Sequence, residues 1–261
     1  TFRATVDDPG ATQSLSRALG GVEHPIPVLV DLELGMGRTG IEPGQAAEDL
    51  YQLVAQLPNL KPDGLHGYDG HIHNKDLNER REAVKPGQQK TLDLRDRLLA
   101  RGLPVPRLVM GGTPTFPIYG EWDIPGVECS PGTTVFHDHG YATRYPDLPF
   151  KYAALLLTRV ISHPRPGRIC LDLGHKAIAA DPAGPRLYLP DIPDAKFVIH
   201  SEEHLIVETE LAGQFPVGST LLAVPTHICP TCALHRRVYV IGDGGLVDEW
   251  EVQARDRVLV I

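Results

Sequence analysis

Cysteine is scarce in this chain: Cys129, Cys170, Cys229 and Cys232 are the only four in 261 residues. So few in so long a chain exclude a disulfide scaffold, and the close pair Cys229 and Cys232 points to metal or thiol chemistry instead. Basic runs are missing too. With 25 Lys and Arg against 33 Asp and Glu, a formal charge of −8 and a pI near 5.8, nucleic acid and anionic membranes are excluded as main partners. No apolar stretch reaches the roughly 18–20 residues of a membrane span. Thr1 onward shows neither a basic n-region nor an apolar h-region, so the expectation is a cytoplasmic protein with small-molecule or protein partners. G-x-S-x-G and P-loop sequences do not occur, and no dinucleotide fingerprint is read. Hydrolase, nucleotide and dinucleotide readings therefore lack support.

At 42% hydrophobic and 22% charged residues, the chain can bury a large core. Its first part alternates strand-like and helix-like stretches. Strand character over Arg3–Val6 is followed by helical spacing over Ala11–Leu19 and by the apolar run Ile26–Leu32. A helix is expected over Gly44–Leu57, a strand over Gly64–Tyr68, a long polar helix from Lys75 to Arg101 and a strand over Arg107–Met110. That rhythm argues for βαβ units and a parallel sheet. Beyond Phe150 it gives way to short segments separated by Gly and Pro turns, the pattern of an antiparallel barrel or sandwich. The fold class is thus α/β plus β: a partial TIM-type β/α barrel over residues 1–148, then an antiparallel β domain over 149–261. A complete (β/α)8 barrel needs about 250 residues, and only four or five βα units fit before Phe150.

Chemistry-bearing residues cluster after the strands. The stretch Pro225 to His235 contains His227, Cys229, Cys232 and His235, spelling H-x-C-x2-C-x2-H. On an extended backbone His227 and Cys229 project from one face, and imidazole with thiolate is a donor pair that zinc prefers. Two ligands leave room for substrate, whereas all four would close a structural site. A buried thiol, a core histidine or a Cys229–Cys232 disulfide would account for the same letters. Arg38, inside Gly35 to Gly40, follows a buried strand and suits a carboxylate or phosphate. Gly111-Gly112-Thr113 is a second anion-suited loop, also readable as a plain turn. The pairs His71/His73 and His137/His139 read more readily as structural than as ligands, with Tyr141 beside the second as a phenol donor. Charged clusters at Asp172–Lys176 and Ser201–His204 are either solvated turns or hydrogen-bond partners behind metal ligands.

Taken together, these stretches resemble a known family. Val28 to Gly40 is similar to the strand-and-loop signature of fold-type III pyridoxal-phosphate enzymes, the alanine racemase group. Gly64–His71, Gly111–Thr115, Asp172–Ala177, Glu202–His204 and Pro225–Leu234 resemble its metal-dependent branch of D-threonine aldolase and D-serine dehydratase, in order along nearly the whole chain. The resemblance implies pyridoxal 5′-phosphate and a divalent metal as cofactors. Zinc is favoured over manganese or magnesium because His227 and Cys229, on a strand of the β domain, would be the ligands. It implies that Gly111, Gly112, Thr113 and Tyr141 hold the cofactor phosphate, and that Arg38 lies near the cofactor and the substrate carboxylate. It also implies a homodimer and a D-amino acid substrate. The expected activity is a lyase on D-3-hydroxy amino acids, with dehydration favoured by His-x-Cys over aldol cleavage. The alternatives are a racemase of the same fold or a non-catalytic cofactor or zinc protein. The family's Schiff-base lysine lies in a segment resembling Arg-Pro-His-x-Lys-Thr-His, which is matched nowhere here. The expectation is that a front section carrying it precedes this chain.

Overall fold

The computed structural model describes residues 2–256 and Val258. The chain forms two compact units, Thr1–Gly132 and Thr133–Ile261, so residues 133–148 cluster with the second part and not with the first.

The first unit runs β1 (Ala4–Val6), α1 (Pro9–Ala18), β2 (Ile26–Leu32), α2 (Gln45–Gln56), β3 (Leu60–Gly67), α3 (Leu77–Ala100), β4 (Leu108–Met110), α4 (Phe116–Gly120) and β5 (Val127–Cys129). Its five strands pair in chain order, every pair parallel, as in consecutive βα units of a barrel. Helix starts follow capping chemistry. The Asp8 carboxylate accepts from Ala11 N at 2.6 Å with Pro9 opening α1, and Asp76 accepts from Asn78 N and Glu79 N at 2.9 and 3.0 Å to open α3. Alternate β2 residues Val28, Val30 and Leu32 share a core with Leu50, Tyr51 and Val54 of α2. By the strand period, Leu29 and Asp31 face away from those helices. His66, paired in register with Asp31, shares that opposite face.

At Gly64 the backbone sits at φ +136°, and a Cβ there would lie 2.1 Å from the Arg107 carbonyl oxygen. Both the conformation and the contact demand glycine. Gly64→Ala is expected to lower unfolding free energy by about 3 kcal/mol, read as a fall in the urea midpoint. An unchanged midpoint would show that β3 and β4 can separate at no cost.

The second unit runs α5 (His139–Arg144), β6 (Leu156–Arg165), β7 (Arg168–Leu171), β8 (Leu187–Tyr188), β9 (Lys196–His200), β10 (Leu205–Glu208), β11 (Thr220–Pro225), α6 (Ile228–Ala233), β12 (Arg237–Gly242) and β13 (Gly245–Glu251). Six strands form an antiparallel sheet in the order β8-β11-β6-β7-β10-β9. Val160, Ile169, Leu171, Leu205, Val207 and Leu221 fill its core. The remaining two strands, β12 and β13, form a separate hairpin.

The structure corrects one local expectation: His227 and Cys229 do not lie on a strand. The β11 ladder ends where its short partner β8 ends, at the Pro225–Leu187 pair. His227 is the last extended residue, at φ −134° and ψ 102°, and Ile228 begins α6. The Thr231 hydroxyl closes the first turn on the His227 carbonyl at 2.7 Å. Pro230 fits because first-turn amides have no partner inside a helix.

Candidate active site

His227 is the residue before α6 and Cys229 lies in its first turn, so a strand-to-helix turn brings them together where strand alternation does not. The imidazole donates Nδ1–H to Asp181 Oδ2 at 2.5 Å. Interaction with the Cys229 thiol is the main reason the His227 pKa rises to about 9, with Asp181 adding against the opposing effect of burial. The same interaction holds the Cys229 pKa below that of a free thiol, aided by the Thr133 hydroxyl 3.4 Å away. The opposite shifts favour sharing of one proton between the imidazole and the thiol, a proton that a bound metal would displace. Nitrogen and sulfur donors, the sulfur with a lowered pKa, fit zinc. Among the described residues no group of three or more His, Cys, Asp or Glu side chains converges as a metal cage. The neighbours of the four-residue cluster point elsewhere. His235 Nε2 is engaged with the Ala177 carbonyl at 2.7 Å, and burial pushes the Cys232 thiol up.

These differences give a direct chemical test. Cys229 is exposed with a lowered pKa, while burial raises the pKa of Cys129, Cys170 and Cys232. At neutral pH iodoacetamide is expected to modify Cys229 at least about tenfold faster than the other three, with zinc suppressing the reaction. Peptide mass mapping reads the order of labelling, and uniform labelling would refute the lowered Cys229 pKa.

The turn is held from the other side by residues 137–140. Asp138 is buried; its Oδ1 accepts from Tyr141 N at 2.9 Å and its Oδ2 from Ile228 N at 3.0 Å. Gly140 N donates to the Thr226 carbonyl at 3.1 Å, and a Cβ on Gly140 would stand 2.4 Å from that oxygen. His137, also buried, adopts φ +49°, a conformation that a non-glycine residue occupies only under constraint. Its Nδ1 has no hydrogen-bond partner among the described residues. The His139 ring stacks on Tyr188 at 4.8 Å and its Nδ1 lies 3.2 Å from the Tyr152 hydroxyl. Tyr141 belongs to α5, its ring 5.7 Å from that of Tyr145. The charged clusters do not reach His227: Lys176 binds Glu202 and Glu203 at 2.8 and 3.1 Å.

In the first unit, the glycine loop after β2 is committed to the protein's own carboxylates. Glu33 accepts from Gly35 N and, at 2.8 Å, from Gly37 N. Asp7 accepts from Gly40 N at 2.8 Å. Gly35, Gly37 and Gly40 do have the G-x-G-x-x-G spacing, which the sequence reading overlooked, yet the loop opens no helix: it returns to the sheet at Ile41, and α2 begins only at Gln45. Arg38 projects from it with its guanidinium carbon 4.5 Å from the centre of the Tyr68 ring. Behind it, Asp31 binds His66 Nδ1 at 2.6 Å and the Thr39 hydroxyl at 2.9 Å. Burial works to raise the Asp31 pKa, but these two bonds and the charges of His66 and Arg38 outweigh it and keep the carboxyl below its usual range.

The second loop is organised by Asp69, a buried carboxylate that sequence reasoning missed. It accepts from Gly112 N at 2.8 Å, the Thr115 hydroxyl at 2.6 Å and the Tyr119 hydroxyl at 3.0 Å. Gly111 N donates to the Gly67 carbonyl at 2.9 Å. Gly111 and Gly112 therefore shape the loop, the first at φ +85°, with their amides turned inward. Among the described residues nothing accepts from the Thr113 amide or hydroxyl, so Thr113 carries the loop's free donors and fits a phosphate. Nearby, a Cβ on Gly35 would lie 2.7 Å from His71 Nε2, and His71 Nδ1 has no partner among the described residues.

Comparison with known proteins settles the kinship. The family model for the alanine racemase N-terminal domain matches residues 1–139, over half of the chain. The chain belongs to the alanine racemase family. A model for a putative serine dehydratase domain matches residues 153–241 of this family member. The crystal structure of D-threonine aldolase from Filomicrobium marinum superposes with a TM-score of 0.88 at 31% identity, covering 97% of this chain and 69% of that one. D-threonine aldolase of an Arthrobacter species is 29% identical over 257 residues, 96% of this chain and 66% of the relative. D-threo-3-hydroxyaspartate dehydratase from Delftia sp. HT23 shares the fold, with a TM-score of 0.78 at 20% identity over 95% of this chain and 71% of that one. The chain spans about two thirds of the length of these relatives. The alanine racemase fold implies pyridoxal phosphate as cofactor and the kinship with D-threonine aldolases implies a metal; among the described residues no helix is long and apolar enough to cross a membrane.

Proposed function

We propose that this alanine racemase-family chain belongs to a pyridoxal-phosphate- and zinc-dependent lyase acting on D-3-hydroxy amino acids, as a homodimer. The observation that carries the reading is His227, its ring held by Asp181, two residues before Cys229 on one strand-to-helix turn, in a chain whose relatives include D-threonine aldolases. When bound, the cofactor supplies an electron sink for charge left at the substrate Cα, and the metal a Lewis acid for its 3-hydroxyl. His227 presents one ring nitrogen to the metal because Asp181 holds the other, which fixes the tautomer. Cys229 supplies thiolate sulfur. Arg38, steadied over Tyr68, binds the substrate carboxylate. Thr113 donates to the cofactor phosphate from a loop shaped by Gly111 and Gly112.

Relatives at 29% and 31% identity are named as aldolases, which favours carbon–carbon cleavage, while His-x-Cys favours dehydration. Products decide between the two. For the full-length protein with zinc or manganese, pyridoxal phosphate and D-threonine, D-serine or D-3-hydroxyaspartate, glycine plus an aldehyde marks the aldolase, and ammonia plus a keto acid marks the dehydratase. Interconversion of enantiomers without loss of amino acid would overturn the lyase reading.

A further inference from the structure

We infer that Asp138 is a positioning residue for the metal-binding pair, acting through the main-chain amide of the one residue between the two ligands. Ile228 is that residue, and its N–H donates to Asp138 Oδ2 at 3.0 Å. The inference rests on the proposed metal role of His227 and Cys229. It differs from the Asp181 contact, which orients one ring. Asp138 instead fixes the turn that sets both side chains relative to one another.

Three observations converge on this clamp. Asp138 is 1% exposed, so its charge is spent inside the protein and its two oxygens are matched to two amides, Tyr141 N and Ile228 N. The preceding residue, His137, is held at φ +49°, a conformation that persists only where its surroundings impose it. Gly140 approaches the Thr226 carbonyl so closely that no side chain fits, and its amide binds that oxygen at 3.1 Å. Thr133 completes the grip on the Cys229 sulfur. The sequence marks the segment only as His-x-His, whereas the residue between the histidines makes the contact.

The geometry supplies a selective substitution. In Asp138→Asn the amide oxygen still caps α5 at Tyr141, a role asparagine performs well, but its NH2 group then faces the Ile228 N–H, donor against donor. Ile228→Pro removes the same bond from the other end. Proline suits a first helical position, and His227, extended at φ −134°, tolerates a following proline.

Cobalt(II) is the probe, titrated into the whole chain and its variants, with the thiolate-to-cobalt absorption reporting Cys229 ligation and far-ultraviolet circular dichroism reporting the fold. Asp138→Asn is expected to weaken cobalt affinity by roughly 10–100-fold and to diminish the thiolate band while leaving the dichroism unchanged. Ile228→Pro is expected to do the same, with the double variant no weaker than either single one, because both remove one bond. A protein lacking the thiolate only because it has unfolded loses its dichroism, and Ile228→Pro then carries the test alone. Wild-type affinity and a wild-type band in Asp138→Asn, or additive losses in the double variant, overturn the inference. If the unsubstituted chain and His227→Ala bind cobalt alike, the metal reading itself is wrong and the inference falls with it.

Discussion

In the full-length protein His227→Ala is expected to lower metal-dependent turnover sharply while leaving the fold intact. His227 is one of the two proposed ligands, and its side chain is 38% exposed, so its removal opens no buried cavity and leaves Asp181 in contact with water. Lewis-acid stabilisation by a bound metal is worth several kcal/mol, and its loss corresponds to a fall of roughly 10²–10³-fold in kcat/KM. Zinc stoichiometry by equilibrium dialysis should fall with it. Pyridoxal-phosphate absorbance should not, because Gly111–Thr113 and Arg38 are untouched. Cys232→Ala is the control: that thiol is protonated, and its substitution should leave zinc binding within twofold of the parent. Equal losses in both variants would restore the four-ligand structural site.

Asp69→Ala is expected to have the largest effect on stability. Three donors converge on this buried carboxylate, and burial, with the charge of Asp69 beside it, holds the Tyr119 phenol far above its usual range as a permanent donor. A buried donor left unmatched costs about 1–3 kcal/mol, and Thr115 and Gly112 can partly satisfy one another, so a net loss of about 3–4 kcal/mol is expected in urea unfolding. Asp69→Asn should cost about half as much, since the two hydroxyls can accept from an amide NH2. Because Asp69 turns the Gly112 amide inward, the alanine variant should also bind pyridoxal phosphate at least about tenfold more weakly at temperatures where it remains folded. Unaltered cofactor affinity in a folded variant would separate the loop from the phosphate.

The strand and helix order of both units was legible because hydrophobic periodicity is local: Ile26–Leu32 reads as a buried strand and is one. The segments that were not legible depend on distant partners. Leu187–Tyr188 is a strand only because Val224 and Pro225 lie beside it, and Ile228–Ala233 turns helical where that short partner ends. In the site, residue types and spacing pointed to His227 and Cys229, but the backbone that joins them was misjudged as extended. Asp69, Asp138 and Asp181 left no local signal, since an aspartate that receives main-chain or imidazole protons looks like any surface aspartate until the fold closes. The acceptors in the loop after β2 were equally hidden, because glycine spacing says nothing about whether Glu33 or a ligand fills the turn.

The order of strands in the two sheets sets a schedule for biosynthesis. In the first unit each strand pairs with the next one to be translated, so every βα unit adds to an existing edge and structure can accumulate while the ribosome is still working. The second unit cannot grow in that way. Its sheet places β11 between β8 and β6, so the edge strand β8 has no neighbour to pair with until Thr220–Pro225 has emerged. During that interval the β6 edge that β11 will cover stands open, exposing a strand that any neighbouring nascent chain can pair with. Slowing translation just upstream of Thr220 should therefore lower the soluble yield, whereas a pause inside the first unit should be tolerated.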